Sequence, residues 1–191
     1  MGRRGLNNEM IIEAAIELVE EKGYQKFAMR ELAARLDVQP ASLYNHVSGI
    51  EEVNIAVGLH GIHILEEALT EASRDGTLED KIFAMAKSYR EFAGKSPELY
   101  QAVIGMRTSE NEMLKNGIYR IVKPFLEVIK SAVEDEKTVI HLQRLIRSSL
   151  HGFVTLEQEG YLTYDSPDAE ESFLYMTQGF VKLVEEERGG K

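Results

Sequence analysis

The chain has no cysteine, which removes both a disulfide framework and any thiolate metal site and fits a reducing compartment. No uninterrupted apolar stretch approaches the roughly 20 residues a membrane-spanning helix needs. The opening MGRRGLNNE places Arg3 and Arg4 without an apolar run behind them, so neither a secretory nor a twin-arginine signal is expected. Leu6 speaks against N-myristoylation. A cytoplasmic protein with no membrane partner is the expectation. Also missing are internal repeats, low-complexity segments and every recognisable catalytic set: a Gly-rich phosphate loop, a nucleophile elbow, or paired metal ligands with a waiting carboxylate. No enzyme activity, cofactor or metal is therefore expected. His60 and His63 stand one turn apart on a helix, a metal-compatible spacing. Without cysteine or a nearby carboxylate pair, pocket lining or plain packing is the stronger reading of them.

What is present describes a globular protein of 191 residues, 43% apolar and 28% charged, with ample material for a core. The net charge is −10, and it is unevenly placed. Residues 1–50 hold six basic side chains (Arg3, Arg4, Lys22, Lys26, Arg30, Arg35) against seven acidic ones, so the acidity belongs to the rest of the chain. A generic nucleic-acid binder is more basic than this, whereas a site-specific dimer that adds two modest half-site footprints need not be.

The organising stretch is Phe27 to Val47, FAMRELAARLDVQPASLYNHV. It predicts two short helices joined by a tight turn. Phe27 can staple onto Leu32, and Glu31 is placed to reach back to the first free amides as a capping-box carboxylate. Val38 can staple onto Leu43, while Pro40 suits the first position of the second helix, where its missing N–H costs nothing. Asp37 falls at the turn, a place that often wants positive φ. On a wheel of 3.6 residues per turn, Pro40, Leu43 and Val47 share the inward side. Ala41 and Asn45 then face outward, with Ser42 and His46 on one edge and Tyr44 on the other, an arrangement suited to a major groove and its two phosphate walls. Arg30, at the start of the first helix, can reach a guanine.

The run Leu36-x-Val38, then Leu43-Tyr44-x-His46-Val47, resembles the DNA-binding domain of the tetracycline-repressor (TetR) family. Its setting, an amphipathic helix before it and a glutamate-rich helix start after it, is similar too. Against the family pattern, Ala28 stands where a capping Thr or Ser is common. Gln39 replaces a small hydroxyl cap, and Ser48 and Ile50 stand where lysines often meet the DNA backbone. The segment RSSLHGFVTLEQEGY, with Arg147, His151, Gly152, Phe153, Leu156, Glu157, Gly160 and Tyr161, resembles the C-terminal dimerisation region of a His-Gly-Phe-containing subfamily. The resemblance implies a homodimeric transcriptional regulator, usually a repressor, that leaves its double-stranded operator when a small-molecule effector binds. The alternative is a dimeric small-molecule-binding protein whose DNA-binding domain has lost function.

Read in order, the chain predicts an all-α fold: a three-helix helix-turn-helix domain over 1–47 and a helical bundle for ligand binding and dimerisation over 48–191. The first helix is expected over Asn8–Lys22, with Ile11, Ile12, Ala15, Leu18 and Val19 buried and an arm bearing Arg3 and Arg4 before it. Ser48 to Glu51 reads as a capping box opening a long helix to Ser73. Thr77 and Asp80 cap the next helix, Pro97 opens a short one, and Gly105–Ser109 is a loop. A helix over Asn111–Glu134 carries Pro124 near its middle, Lys137–Glu159 follows, and Ser166-Pro167 announces the last helix to Glu187. DNA contacts are expected from Arg30, Gln39, Ala41, Ser42, Tyr44, Asn45 and His46. An apolar ligand pocket is expected among His60, His63, Tyr89, Phe92, Tyr119, Phe125 and Phe153. A second subunit is expected against Gly152, Phe173, Met176 and Phe180, because a mid-helix glycine costs about 1 kcal/mol unless another helix approaches closely and the last helix has too wide an apolar stripe for one core face.

Overall fold

The computed structural model describes residues 6–105, 112–163 and 165–188. Among these residues every regular element is helical: α1 Asn8–Lys22, α2 Met29–Arg35, α3 Pro40–Leu43, α4 Ile50–Ala72, α5 Leu78–Lys95, α6 Pro97–Ile104, α7 Glu112–Lys130, α8 Glu136–Gln158 and α9 Ala169–Glu187. The all-α expectation is met. Arg3, Arg4 and most of the Gly105–Ser109 loop lie outside the described residues.

Two compact units divide the chain. The first comprises Met1–His63 with Ser96–Gly117, the second Ile64–Lys95 with Ile118–Lys191. In the first, α1 packs on α2 and α6, and α2 on α3, around Ile11, Ala15, Leu18, Leu32, Leu43, Val57 and the fully buried Tyr100. In the second, α5, α8 and α9 pack pairwise around Met85, Ile146, Leu150, Phe180 and Val184. Ile12 is only half-buried, and Ala14 takes the inward place expected for it.

Local polar chemistry sets the helix ends. Asn7 accepts the Met10 N–H at 2.9 Å and Asp135 that of Thr138 at 2.8 Å, satisfying amides that a helix start leaves without partners. Thr77 and Asp80 form the expected reciprocal box, with Asp80 N–H donating to Thr77 Oγ1 at 3.1 Å and Thr77 N–H to Asp80 Oδ2 at 2.9 Å. Two other boxes differ from expectation. Glu52, not Glu51, closes the one at α4, accepting both the N–H and the hydroxyl of Ser48 at 2.7 Å. With Ile50 as the first helical residue, Glu52 is the third, the position from which a capping-box carboxylate reaches back. The last helix is capped by Asp168 and Glu171 in a complete box, two residues beyond the expected Ser166. Pro167, behind a cis peptide bond, lies before the helix. Pro124 is accommodated inside α7. That helix ends at Lys130, short of the expected Glu134: the Ser131 N–H is shared between Glu127 O and Val128 O, and the Ala132 N–H bonds Ile129 O, three residues back.

These capping carboxylates titrate below their usual range. Lys22 and the Ala28 N–H lower Glu31, and the Ser48 amide and hydroxyl lower Glu52. The Thr77 hydroxyl and amide lower Asp80, and the Thr138 amide and hydroxyl lower Asp135. A depressed folded-state pKa contributes stability above the unfolded value, and that stability disappears as pH falls through the folded one. Thermal melting followed by circular dichroism should therefore give a flat Tm from neutrality down to about pH 4–4.5, the ordinary carboxylate range, and a falling Tm below it.

Candidate nucleic-acid interface

The turn between α2 and α3 is a Schellman motif. Val38 N–H bonds Ala33 O at 3.0 Å and Asp37 N–H bonds Ala34 O at 3.2 Å, and the residue between helix and exit must turn left-handed. Asp37 does so, at φ 51°. Pro40 is the first residue of α3. Only Pro40–Leu43 is α-helical. Tyr44, Asn45 and His46 continue it as a turn held by bonds from the His46 and Val47 N–H groups to Leu43 O at 2.9 and 3.0 Å. Leu43 and Val47 are buried and Pro40 half-buried, so the inward side is as the wheel predicts.

The seven expected DNA-contact residues sit on the outward side. Arg30, Gln39, Ala41, Tyr44 and Asn45 are exposed, and Ser42 and His46 half-buried. Tyr44, an apolar-bodied side chain, is 56% exposed, with no intramolecular reason to be so. At the start of α2 only half a capping box forms. Glu31 accepts the Ala28 N–H at 2.9 Å, but Ala28 has no side-chain oxygen to return a bond, and Gln39 makes no side-chain cap on α3.

Internal ion pairs, which sequence spacing did not single out, occupy two of the cations. Arg35 at the end of α2 bonds Glu17 of α1 at 3.0 Å and also Glu21, while Lys22 pairs with Glu31. Glu17 and Glu21 stand one turn apart on α1, the spacing that puts two carboxylates on one side of a helix, and this was the available signal. Arg35 accordingly holds Glu21 below its usual pKa. Lys26 and Arg30 make no ion pair among the described residues.

The residues expected to line a ligand pocket are not gathered into one described cleft. His60, half-buried, and His63, exposed, belong to the first unit. In the second, Tyr89, Phe92 and Phe125 are buried in the core, Tyr119 is 58% exposed, and Phe153 is half-buried. Phe153 lies 5.5 Å from Phe173, ring centroid to centroid. Arg90 crosses both rings, 4.6 Å from the Phe173 centroid, and ties α5 to α8 and α9 through Glu157, at 2.9 Å from its Nε, and Glu170. A cleft of about 640 Å³ beside this knot is lined by Phe83, Lys87, Arg90, Glu157, Glu170 and Phe173 among others, and by none of the seven expected residues.

Two residues expected to meet a second subunit are instead covered by their own chain. Phe173 and Phe180 are 3% and 4% exposed, because they fall on the side of α9 that packs on α5 and α8. Met176 is half-buried, and a Cβ built on Gly152 or Gly179 meets nothing within 4 Å. Leu145 and Leu156 of α8 and Tyr175 and Leu183 of α9 remain exposed. Spacings of 145, 152 and 156, and of 175, 179 and 183, put each set on one helix side.

Comparison with known proteins agrees with this geometry. Residues 11–57 match the family described as "Bacterial regulatory proteins, tetR family", and residues 82–180 match "Tetracyclin repressor-like, C-terminal domain". A Bacillus subtilis (strain 168) protein described as an uncharacterized HTH-type transcriptional regulator, YobS, is 29% identical over 155 residues, 81% of this chain and 80% of its own. In fold, the chain resembles a Rhodococcus sp. RHA1 protein of unknown function, with TM-score 0.81, 17% identity and coverage of 94% and 96% of the two chains. It also resembles a TetR variant from Acinetobacter baumannii AYE in complex with minocycline, with TM-score 0.71, 19% identity and coverage of 97% and 100%. With the two family domains matched in order along it, the chain belongs to the tetracycline-repressor (TetR) family of transcriptional regulators.

Proposed function

We propose that the protein is a repressor that binds palindromic operator DNA as a homodimer and leaves it when a small hydrophobic effector occupies the part of the chain after the helix-turn-helix. In this reading residues 1–47 contact DNA and residues 48–191 bind effector and partner. The observation that carries it is the outward set of the helix-turn-helix: Arg30 on α2, Ala41 on the one-turn α3, and Tyr44 and Asn45 in the turn that follows are exposed, while buried Leu43 and Val47 leave α3 and its turn no freedom to face elsewhere. Arg30 suits guanine, Asn45 adenine, and the Ala41 methyl a thymine methyl. Tyr44, Ser42 and His46 suit phosphates, with Gln39 beside them. An effector is supported by the family and by the minocycline held by the Acinetobacter relative. Occupation would favour one tilt of α4 and so alter the spacing of two recognition helices. Release of most of the protein requires the effector to prefer the unbound form by several kcal/mol.

The pairing of Lys22 and Arg35 within the subunit favours, as the second reading, a small-molecule-binding dimer that no longer holds DNA. Selecting duplexes from a randomised pool with the full-length protein separates the two, since only the first enriches a sequence.

On a selected duplex, Arg30→Ala should cost about 1–3 kcal/mol and relax one base position, measured by binding to single-position operator variants. An unchanged selectivity profile removes Arg30 from base reading. Tyr44→Phe should weaken every sequence alike. Because Lys26 is the unpaired described cation of the helix-turn-helix region that is not assigned to a base, each subunit should contribute only about −1 to the slope of log K against log salt from it. A much steeper slope in a protein truncated of Arg3 and Arg4 would mean that the Lys22 and Arg35 pairs break on DNA.

For the dimer, Gly152→Leu is the informative substitution. A Cβ built there meets nothing of its own subunit within 4 Å, so the subunit should still fold, as circular dichroism would show, while overpacking at a close helix crossing costs about 1–3 kcal/mol. Sedimentation should show monomer at concentrations where the parent is dimeric. An unchanged dimer moves the interface elsewhere.

A further inference from the structure

Glu98, in the first turn of α6, joins two stretches of the first unit that are far apart in sequence. Its Oε2 accepts the backbone N–H of Tyr24 at 2.9 Å. Tyr24 follows Gly23, where α1 stops: φ is 103° and the Gly23 N–H bonds Val19 O at 2.8 Å, turning the chain toward α2. A Cβ built on Gly23 would lie 3.2 Å from the same Glu98 oxygen and 3.0 Å from Lys26 Nζ, so the carboxylate lies directly across the loop between α1 and α2. The far end of α6 reaches that loop too, since a Cβ on Gly105 would stand 3.0 Å from the Tyr24 ring. Along its length α6 also meets α4. A Cβ on Gly61 would come within 2.8 Å of Val103 and 3.3 Å of the Leu99 carbonyl. The helix is thus wedged against both the loop and α4, with Tyr100 fully buried.

We propose that Glu98 is a positioning residue for DNA binding: by holding the Tyr24 amide it fixes the loop between α1 and α2, and through it the attitude of α2 and α3. This rests on the reading of α2 and α3 as the DNA-contacting helices. Tyr24 precedes α2 by only a few residues, and that helix has an incomplete cap of its own, so it draws its placement from neighbours. Base contacts demand hydrogen-bond geometry good to a few tenths of an ångström, whereas contacts to phosphates alone tolerate more. Loss of the hold therefore weakens specific binding selectively. The sign is diagnostic. Removing an acidic side chain from a DNA-binding protein strengthens binding through charge alone, and a positioning role predicts the reverse.

The test uses full-length Glu98→Ala and Glu98→Gln, a duplex selected from a randomised pool by the parent, and a random duplex at the same salt. Glu98→Ala should bind the selected duplex about tenfold more weakly and the random duplex no more weakly than the parent does. Exchange of the Tyr24 amide, followed by NMR, should quicken. Glu98→Gln keeps an acceptor without the charge and should restore both. If Glu98→Ala does not fold by circular dichroism, Glu98→Asp carries the comparison, because it keeps the charge and loses the reach. An alanine variant that binds the selected duplex as well as or better than the parent, or whose Tyr24 amide exchanges at the parental rate, overturns the proposal alone. A parent that enriches no duplex overturns the DNA-binding reading, and this proposal with it.

Discussion

The arrangement depends on burying two side chains, Leu43 of a helix too short to exist unaided and Val47 of the turn just beyond it. One turn of α-helix fixes several residues for very little hydrogen bonding, and nucleation of an isolated helix is unfavourable by orders of magnitude. Pro40–Leu43 persists because its inward residues are removed from water, each such burial contributing about 1.5–3 kcal/mol. Pro40 also sets the first φ in advance. Everything outward on α3 and its following turn is oriented by that burial. A substitution at Leu43 would therefore act on DNA binding without touching any group that reaches DNA.

Around this anchor the first unit is braced by polar contacts from several directions. Arg35 ties the end of α2 to Glu17 and Glu21 of α1, Lys22 ties α1 to the start of α2, and Glu98 ties the intervening loop to α6. Exposed ion pairs contribute little each, about 0–1 kcal/mol, so their effect is on orientation more than on stability. The same pairs remove positive charge from the DNA-binding surface. On the proposed reading, binding relies on the geometry of a few base and phosphate contacts and on doubling them through a partner, more than on a cationic field.

How much of this could be read from the chain depended on whether the signal was local. Pro40 as a helix start, Asp37 at positive φ, Glu31 reaching back to Ala28 and the Thr77–Asp80 box are each decided within a few residues, and all appear as expected. Glu52 in place of Glu51, and Asp168 in place of Ser166, show the limit of such reading: two candidates one or two residues apart satisfy the same rule, and the register of the helix decides between them. Phe173 and Phe180 failed for another reason. A wide apolar stripe on α9 does not say which part faces the chain's own α5 and α8, and only packing shows that the phenylalanines do while Tyr175 and Leu183 do not. The Glu98–Tyr24 bond spans 74 residues, and no periodicity reports it.

The proposed repressor requires two copies of the outward face of α3 to read DNA together. Selection of duplexes from a randomised pool by the full-length protein, followed by sequencing, addresses this directly. The expected outcome is enrichment of an inverted repeat whose half-site centres lie about one helical turn, or a multiple of it, apart. Enrichment of a single unrepeated site, or of nothing above the input pool, would contradict it.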